Sequence, residues 1–169
     1  MRTATFGHSR HDTKVHLKVH LQFFAKSLYP KTGQIKNRPH FNIVANNDIH
    51  FAISNSNPPD PNKSIEIVLG GWSGWQSVIR NRFQGHHLAT RRHSKSDFLD
   101  WQKDFYVILE EHSKNCYMVG LRTGSGEDII KYPEQGCSND LGEDLQFMFG
   151  STGWGSTGDW IMTTKKGFN

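Results

Sequence analysis

Three tryptophans that could stack against a flat ligand lie in glycine-rich segments of the chain. Trp72 and Trp75 follow Gly70-Gly71, and Trp154 lies in a second passage, residues 150–160, which has a similar composition. Two adjacent glycines allow a bulge or a positive φ that a side chain would disfavour. Sugars present C–H faces that stack on such rings. The composition of these turns therefore indicates carbohydrate binding.

Polar residues in predicted turns and strands could bind the hydroxyls of a sugar. Arg80 ends the short segment after Trp75, and Asn47 and Asp48 lie in a predicted tight turn. The predicted ligand-binding set is Asn47, Asp48, Trp72, Trp75, Arg80 and Trp154. A structural role competes with this interpretation. A core position is favoured for Trp72, whereas Trp75 has small polar neighbours and is the least expected in the core.

Other chemistries find less support in the residue pattern. His16 and His20 share a face of a predicted strand but lie about 13 Å apart, too far to bind one ion, and no carboxylate or cysteine completes a set around His86, His87 and His93. No Gly-x-Ser-x-Gly elbow is present. A common S-adenosylmethionine site needs a strand, a glycine-rich turn and a helix. The glycines of residues 120–126 end a predicted strand, but no helix is predicted after them. We predict no catalytic residue, no metal and no cofactor.

A basic cluster follows the second tryptophan. Its members are Arg80, Arg82, Arg91, Arg92, His93 and Lys95, with Phe83 among them. One such cluster without a recognition helix is typical of a solvated surface, so nucleic acid is not the predicted partner. The cluster suits sulfated or sialylated glycans equally well.

Alternating apolar and polar residues predict strands throughout the chain. Val15 to Phe24 is one long alternating segment, and many further short ones are separated by turn residues. The pattern predicts an all-β fold, a two-sheet antiparallel β-sandwich that is jelly-roll-like. The predicted core contains Phe41, Ile43, Ile67, Leu69, Val107, Val119 and Phe147.

Length and composition predict one domain. The chain of 169 residues divides into a polar, flexible N-terminal arm, residues 1–13, and a single sandwich, residues 14–169. It has no apolar run long enough for a membrane helix and no visible signal peptide, so we expect a soluble protein, extracellular or cytoplasmic. Cys116 and Cys137 could form a disulfide or remain free thiols.

Four passages in a fixed order resemble a known family. They are residues 41–54, residues 65–72, Ser77-Val-Ile-Arg80 and residues 151–160. Together they are similar to the farnesoic acid O-methyltransferase domain, found mainly in invertebrate proteins, over about residues 38 to 165. The family name implies methyl transfer to a sesquiterpenoid acid.

The residues favour a non-catalytic, lectin-like module that recognises glycans or glycoproteins. Two alternatives remain, the methyltransferase that the family name implies and a protein-interaction domain. If the long N-terminal strand lies at a sheet edge, a second copy could cover it, so we also expect a homo-oligomer.

Overall fold

The computed structural model describes residues 4–5, 15–18, 23–24, 37–45, 48–56, 58–94, 101–145, 147–152 and 158–166. Side chains are described for residues 48–56, 58–94 and 105–145. The strands are β1 (Ala4–Thr5), β2 (Val15–Lys18), β3 (Phe23–Phe24), β4 (Asn37–Ala45), β5 (Ile49–Ser54), β6 (Ile65–Gly70), β7 (Gln76–Arg80), β8 (His87–Arg92), β9 (Trp101–Ser113), β10 (Cys116–Thr123), β11 (Asp128–Tyr132), β12 (Phe147–Thr152) and β13 (Gly158–Lys166). A four-residue helical turn, α1 (Gly71–Gly74), connects β6 to β7.

Two antiparallel sheets form the body of the molecule. The larger has six strands in the order β11-β10-β9-β4-β13-β2, and the smaller has five in the order β12-β5-β6-β7-β8. The chain passes between them from β4 to β5, from β8 to β9, from β11 to β12 and from β12 to β13. The predicted all-β, jelly-roll-like β-sandwich is confirmed.

The core lies between the two sheets. Alternate residues of each strand face inward, because successive side chains of a strand point to opposite faces. Phe51 of β5 meets Phe105 of β9 edge to face, with ring centroids 5.5 Å apart. Of the predicted core, Ile67, Leu69, Val107 and Val119 are confirmed as buried. The side chains of Phe41, Ile43 and Phe147 lie outside the described residues.

The N-terminal strand differs from its prediction. Val15–Lys18 pairs with β13 at the edge of the six-stranded sheet, whereas Phe23–Phe24 pairs in parallel with Ala4–Thr5 in a separate two-stranded sheet. The predicted single strand therefore contributes to two sheets. The sequence contains a sign of this division. Phe23 and Phe24 are successive apolar residues, so they interrupt the apolar and polar alternation that begins at Val15.

Two links join parts of the chain that are distant in sequence. Cys116 and Cys137 form a disulfide, which resolves the two possibilities that the sequence left open. Arg91 of β8 joins the edges of the two sheets, because its Nη1 donates to the carbonyls of Asp128 at 2.6 Å and Ile129 at 2.8 Å.

Candidate functional site

The turn between β6 and β7 has an unusual left-handed backbone. Gly70 and Gly74 have φ values of 69° and 87°, and Trp72 and Ser73 have φ values of 55° and 60°. Glycine adopts this region freely, whereas another L-residue costs roughly 1–2 kcal/mol. Non-glycine residues in this region are often found where the backbone serves a function. Of the two conformations that the Gly-Gly pair allows, a bulge or a positive φ, Gly70 has the positive φ.

Three hydrogen bonds hold this turn in place. The Gly70 N–H donates to Ser77 Oγ at 3.1 Å, and Ser77 Oγ lies 2.8 Å from His93 Nε2. The His93 N–H donates to the Trp75 carbonyl at 2.8 Å. Ser77 has no solvent exposure. The Ser77–His93 pair therefore supports the turn and does not present a nucleophile to solvent.

Both tryptophans of the turn face solvent. Trp72 is 48% exposed and Trp75 is 54% exposed, and these are the exposed large apolar side chains among the described residues. The position of Trp75 agrees with its prediction, whereas the expected core position of Trp72 is wrong. The left-handed turn directs Trp72 away from the core and towards Arg80 and His87.

Trp72 has specific neighbours on the outer face of the five-stranded sheet. The Arg80 guanidinium carbon lies 5.3 Å from the centroid of the Trp72 ring, a cation–π distance. The His87 ring meets Trp72 edge to face, with centroids 5.7 Å apart. Trp72 thus contacts Arg80 and His87, and nearly half of its surface remains accessible to solvent.

A row of alternating charges crosses the same outer face. Ile49, Phe51 and Ile53 of β5, Ile65, Ile67 and Leu69 of β6, and Ile79 of β7 belong to the core. The alternate residues His50, Glu66 and Arg80 therefore face outward. Glu66 lies directly opposite Arg80 in the strand register, and Arg80 Nη1 donates to Glu66 Oε2 at 2.7 Å. His50 contacts Glu66 Oε1 through Nδ1 and Asp48 Oδ2 through Nε2, both at 3.0 Å.

The row fixes the charge of its central groups. Burial alone would lower the pKa of His50, but the hydrogen bonds and charges of Asp48 and Glu66 raise it from 6.5 to about 9. Burial would raise the pKa of Glu66, yet hydrogen bonds from His50, Arg80 and the Gln84 N–H lower it from 4.5 to about 2. Near neutral pH, His50 is therefore a cation and Glu66 an anion.

Among the residues that the structure describes, two polar side-chain atoms next to the row have no hydrogen-bond partner. They are Arg80 Nε and Asn81 Oδ1, and both are buried. Arg80 is only 12% exposed and bonds to Glu66, so its main contacts are within the protein. It orients the Trp72 ring and offers a ligand little free surface.

A family model described as farnesoic acid O-methyl transferase matches residues 18–166. The chain belongs to this family. The match begins at the last residue of β2 and ends at the last residue of β13, so the farnesoic acid O-methyltransferase domain includes both sheets. The expected resemblance over residues 38 to 165 is confirmed and extends further towards the N-terminus. Searches of curated proteins and of solved structures gave no match.

The farnesoic acid O-methyltransferase domain brings half of the predicted ligand-binding residues into one row of contacts. Asp48 contacts His50, and the row continues through Glu66 and Arg80 to Trp72. Trp75 lies in the same turn as Trp72. Asn47 and Trp154 lie outside the described residues.

Sequence reasoning missed His50 and Glu66, and it considered His87 only as a possible metal ligand. The signal of His50 and Glu66 is a polar residue between two apolar ones, as in Ile49-His50-Phe51 and Ile65-Glu66-Ile67. Pairing β5, β6 and β7 in register would have aligned the three charges. No group of three His, Cys, Asp or Glu side chains is placed to hold a metal within the described part of the chain. Among the same residues, no helix has the length and apolar composition that crossing a membrane requires.

Proposed function

We propose that this domain is a non-catalytic, lectin-like module that binds carbohydrate on the outer face of its five-stranded sheet. The observation that supports this most directly is the pair of exposed tryptophans in one hydrogen-bonded turn. A ring that is already oriented loses little entropy when a ligand stacks on it. By analogy with bases on aromatic side chains, each stacked sugar ring would contribute roughly 1–3 kcal/mol.

Polar groups next to the rings would add hydrogen bonds to sugar hydroxyls. Asp48 lies at one end of the charged row, and Asn47 and Trp154 complete the set that we propose from the sequence, whereas Arg80, at the other end, acts by orienting the Trp72 ring. His87 extends the set, because its ring lies beside Trp72. The row itself keeps this face rigid.

The family name favours methyl transfer as a second candidate. The described residues form strands and tight turns, and their one helical segment is the left-handed turn at Gly71–Gly74. This differs from the strand, glycine turn and helix of the common S-adenosylmethionine sites. His50 and Glu66 also hold fixed charges near pH 7, whereas a general acid or base needs a pKa near the working pH.

The disulfide supports a location for the module. Disulfides persist in oxidising compartments and are rare in the cytosol. The bridge between Cys116 and Cys137 therefore favours an extracellular or lumenal setting, where glycans and glycoproteins are available as partners.

A glycan array followed by calorimetry tests the proposal. Trp72→Ala and Trp75→Ala should each weaken binding of an array hit by about 5- to 150-fold. Both variants should remain folded, because neither ring lies in the core. Lys114→Ala, at the exposed turn between β9 and β10, is the control and should bind like wild type.

Arg80→Ala is a poor test of ligand contact, because it also leaves the buried Glu66 carboxylate without its closest side-chain partner. S-adenosylmethionine is the second ligand to titrate. Saturable binding of S-adenosylmethionine, or glycan affinity that both tryptophan variants retain, would overturn the proposal.

A further inference from the structure

Charge is distributed very unevenly around the two exposed tryptophans. Residues 67–96 contain no Asp or Glu, whereas Arg80, Arg82, Arg91, Arg92 and Lys95 all lie in this stretch. Carboxylates concentrate elsewhere, for example at Glu134, Asp140, Glu143 and Asp144 in the loop after β11. The surface of the β7–β8 hairpin is therefore basic by sequence, and the structure shows which cations can meet a ligand.

Two of these arginines are engaged within the protein. Arg80 is mostly buried against Glu66, and Arg91 Nη1 bonds to the carbonyls of β11. Arg92 is exposed and lies opposite Gln76, the residue that follows Trp75. Its guanidinium is thus a solvent-exposed cation close to the tryptophan turn.

The outer face of β8 forms a continuous exposed strip beside the rings. The register pairs His87 with Arg80, Thr90 with Val78 and Arg92 with Gln76, so these three β8 residues share the face of the charged row. All three are exposed, and β8 is the edge strand of its sheet. From His87 to Arg92 the strand rises about 16 Å, which leaves room for more than one sugar ring.

We propose that the ligand is an anionic sugar chain, bearing sulfate or carboxylate groups, that lies along β8 with its rings against Trp72 and Trp75. Arg92 binds an acidic group through charge-assisted hydrogen bonds, and the His87 imidazole adds a second polar contact next to Trp72. This proposal rests on the carbohydrate-binding function proposed above. It adds a charge requirement that neutral glycans do not meet.

The proposal predicts a dependence on salt and on one side chain. Titrations should use a heparin-derived hexasaccharide, its desulfated counterpart, a hyaluronan hexasaccharide that has carboxylates alone, and neutral cellohexaose. At about 50 mM salt, Arg92→Gln should weaken binding of the acidic hexasaccharides about tenfold, and the loss should shrink near 300 mM because exposed charges are screened. Lys114→Gln removes one exposed cation from the other sheet and is the matched control, expected to bind like wild type.

The outcomes separate this inference from the proposed function. Cellohexaose that binds as tightly as the acidic chains, with loss only in Trp75→Ala, would overturn the charge requirement and keep the carbohydrate module. Two results would indicate non-specific charge attraction and overturn both the charge requirement and the carbohydrate module. One is an acidic chain that binds equally well to wild type and Trp75→Ala. The other is displacement of the acidic chain by single-stranded DNA of equal charge. Binding of no sugar would also overturn both. A preference for the sulfated over the carboxylated chain, or the reverse, identifies the acidic group.

Discussion

The stability of the domain should fall at alkaline pH because of one residue, His50. Its folded-state pKa is raised from 6.5 to about 9. A raised pKa means that the stabilisation is fully present below 6.5 and is lost as the pH rises through about 9. Each pKa unit corresponds to about 1.4 kcal/mol, so the free energy of unfolding should decrease by about 3 kcal/mol over this range.

Glu66 sets the acid limit of the same row. Its folded-state pKa is lowered from 4.5 to about 2, so its stabilisation is present above 4.5 and is lost as the pH falls through about 2. The His50–Glu66 contact contributes to both shifts, so the two free energies are not additive. Between 4.5 and 6.5 both contributions are present in full, and the charged row is at its most stabilising.

Urea denaturation of wild type and His50→Gln tests this reasoning, with measurements near pH 5.5, 7.5 and 9.5. Wild type should lose about 3 kcal/mol between the extremes, whereas His50→Gln should start lower and vary much less. His112→Gln is the matched control. His112 is 44% exposed, and its distance of 3.8 Å from Glu110 is longer than the contacts of His50. If wild type is equally stable at both extremes, or if His50→Gln shows the same fall, the charged row does not act through His50.

Three further predictions follow from other parts of the molecule. The double substitution Cys116→Ser and Cys137→Ser removes a cross-link with a sequence separation of 21 residues. It should lower the free energy of unfolding by roughly 3 kcal/mol in urea denaturation without reductant, and unchanged stability would contradict this. Gly120→Ala should destabilise the sheet by about 3 kcal/mol, because the added Cβ would meet the Ile130 carbonyl and the Lys131 backbone. A variant that is as stable as wild type in urea denaturation would contradict this. β2 is an edge strand of the six-stranded sheet and should pair with a second copy, so light scattering is expected to give a dimer or larger oligomer, and a monomer of about 19 kDa at micromolar concentration would refute this.

The alternation of apolar residues was enough to predict the architecture. Ile65, Ile67 and Leu69 gave the inward row of β6, and the breaks at Gly70-Gly71 and at Pro133 gave strand ends close to those observed. Periodicity could not show that residues 15–24 contribute to two sheets, because the assignment of a strand to a sheet depends on contacts that are distant in sequence.

The site was only partly predictable for a related reason. Composition identified Trp72, Trp75, Arg80 and Asp48, since their chemistry is visible in one residue at a time. The exposure of Trp72 depends on the left-handed turn, in which Trp72 and Ser73 have φ values that their residue types disfavour. The charged row depends on strand register, which places Glu66 of β6 opposite Arg80 of β7. Neither property belongs to any single short segment.

The link made by Arg91 affects how this molecule can associate with others. A strand from a second molecule extends a sheet by bonding to the unpaired backbone groups of an edge strand. Arg91 already bonds to two successive carbonyls at the start of β11, the edge of the six-stranded sheet. An incoming strand would first have to displace this guanidinium, which also joins β8 to β11. Growth by strand addition is therefore disfavoured at this end of the sheet, and the Arg91 guanidinium contributes to its protection from aggregation.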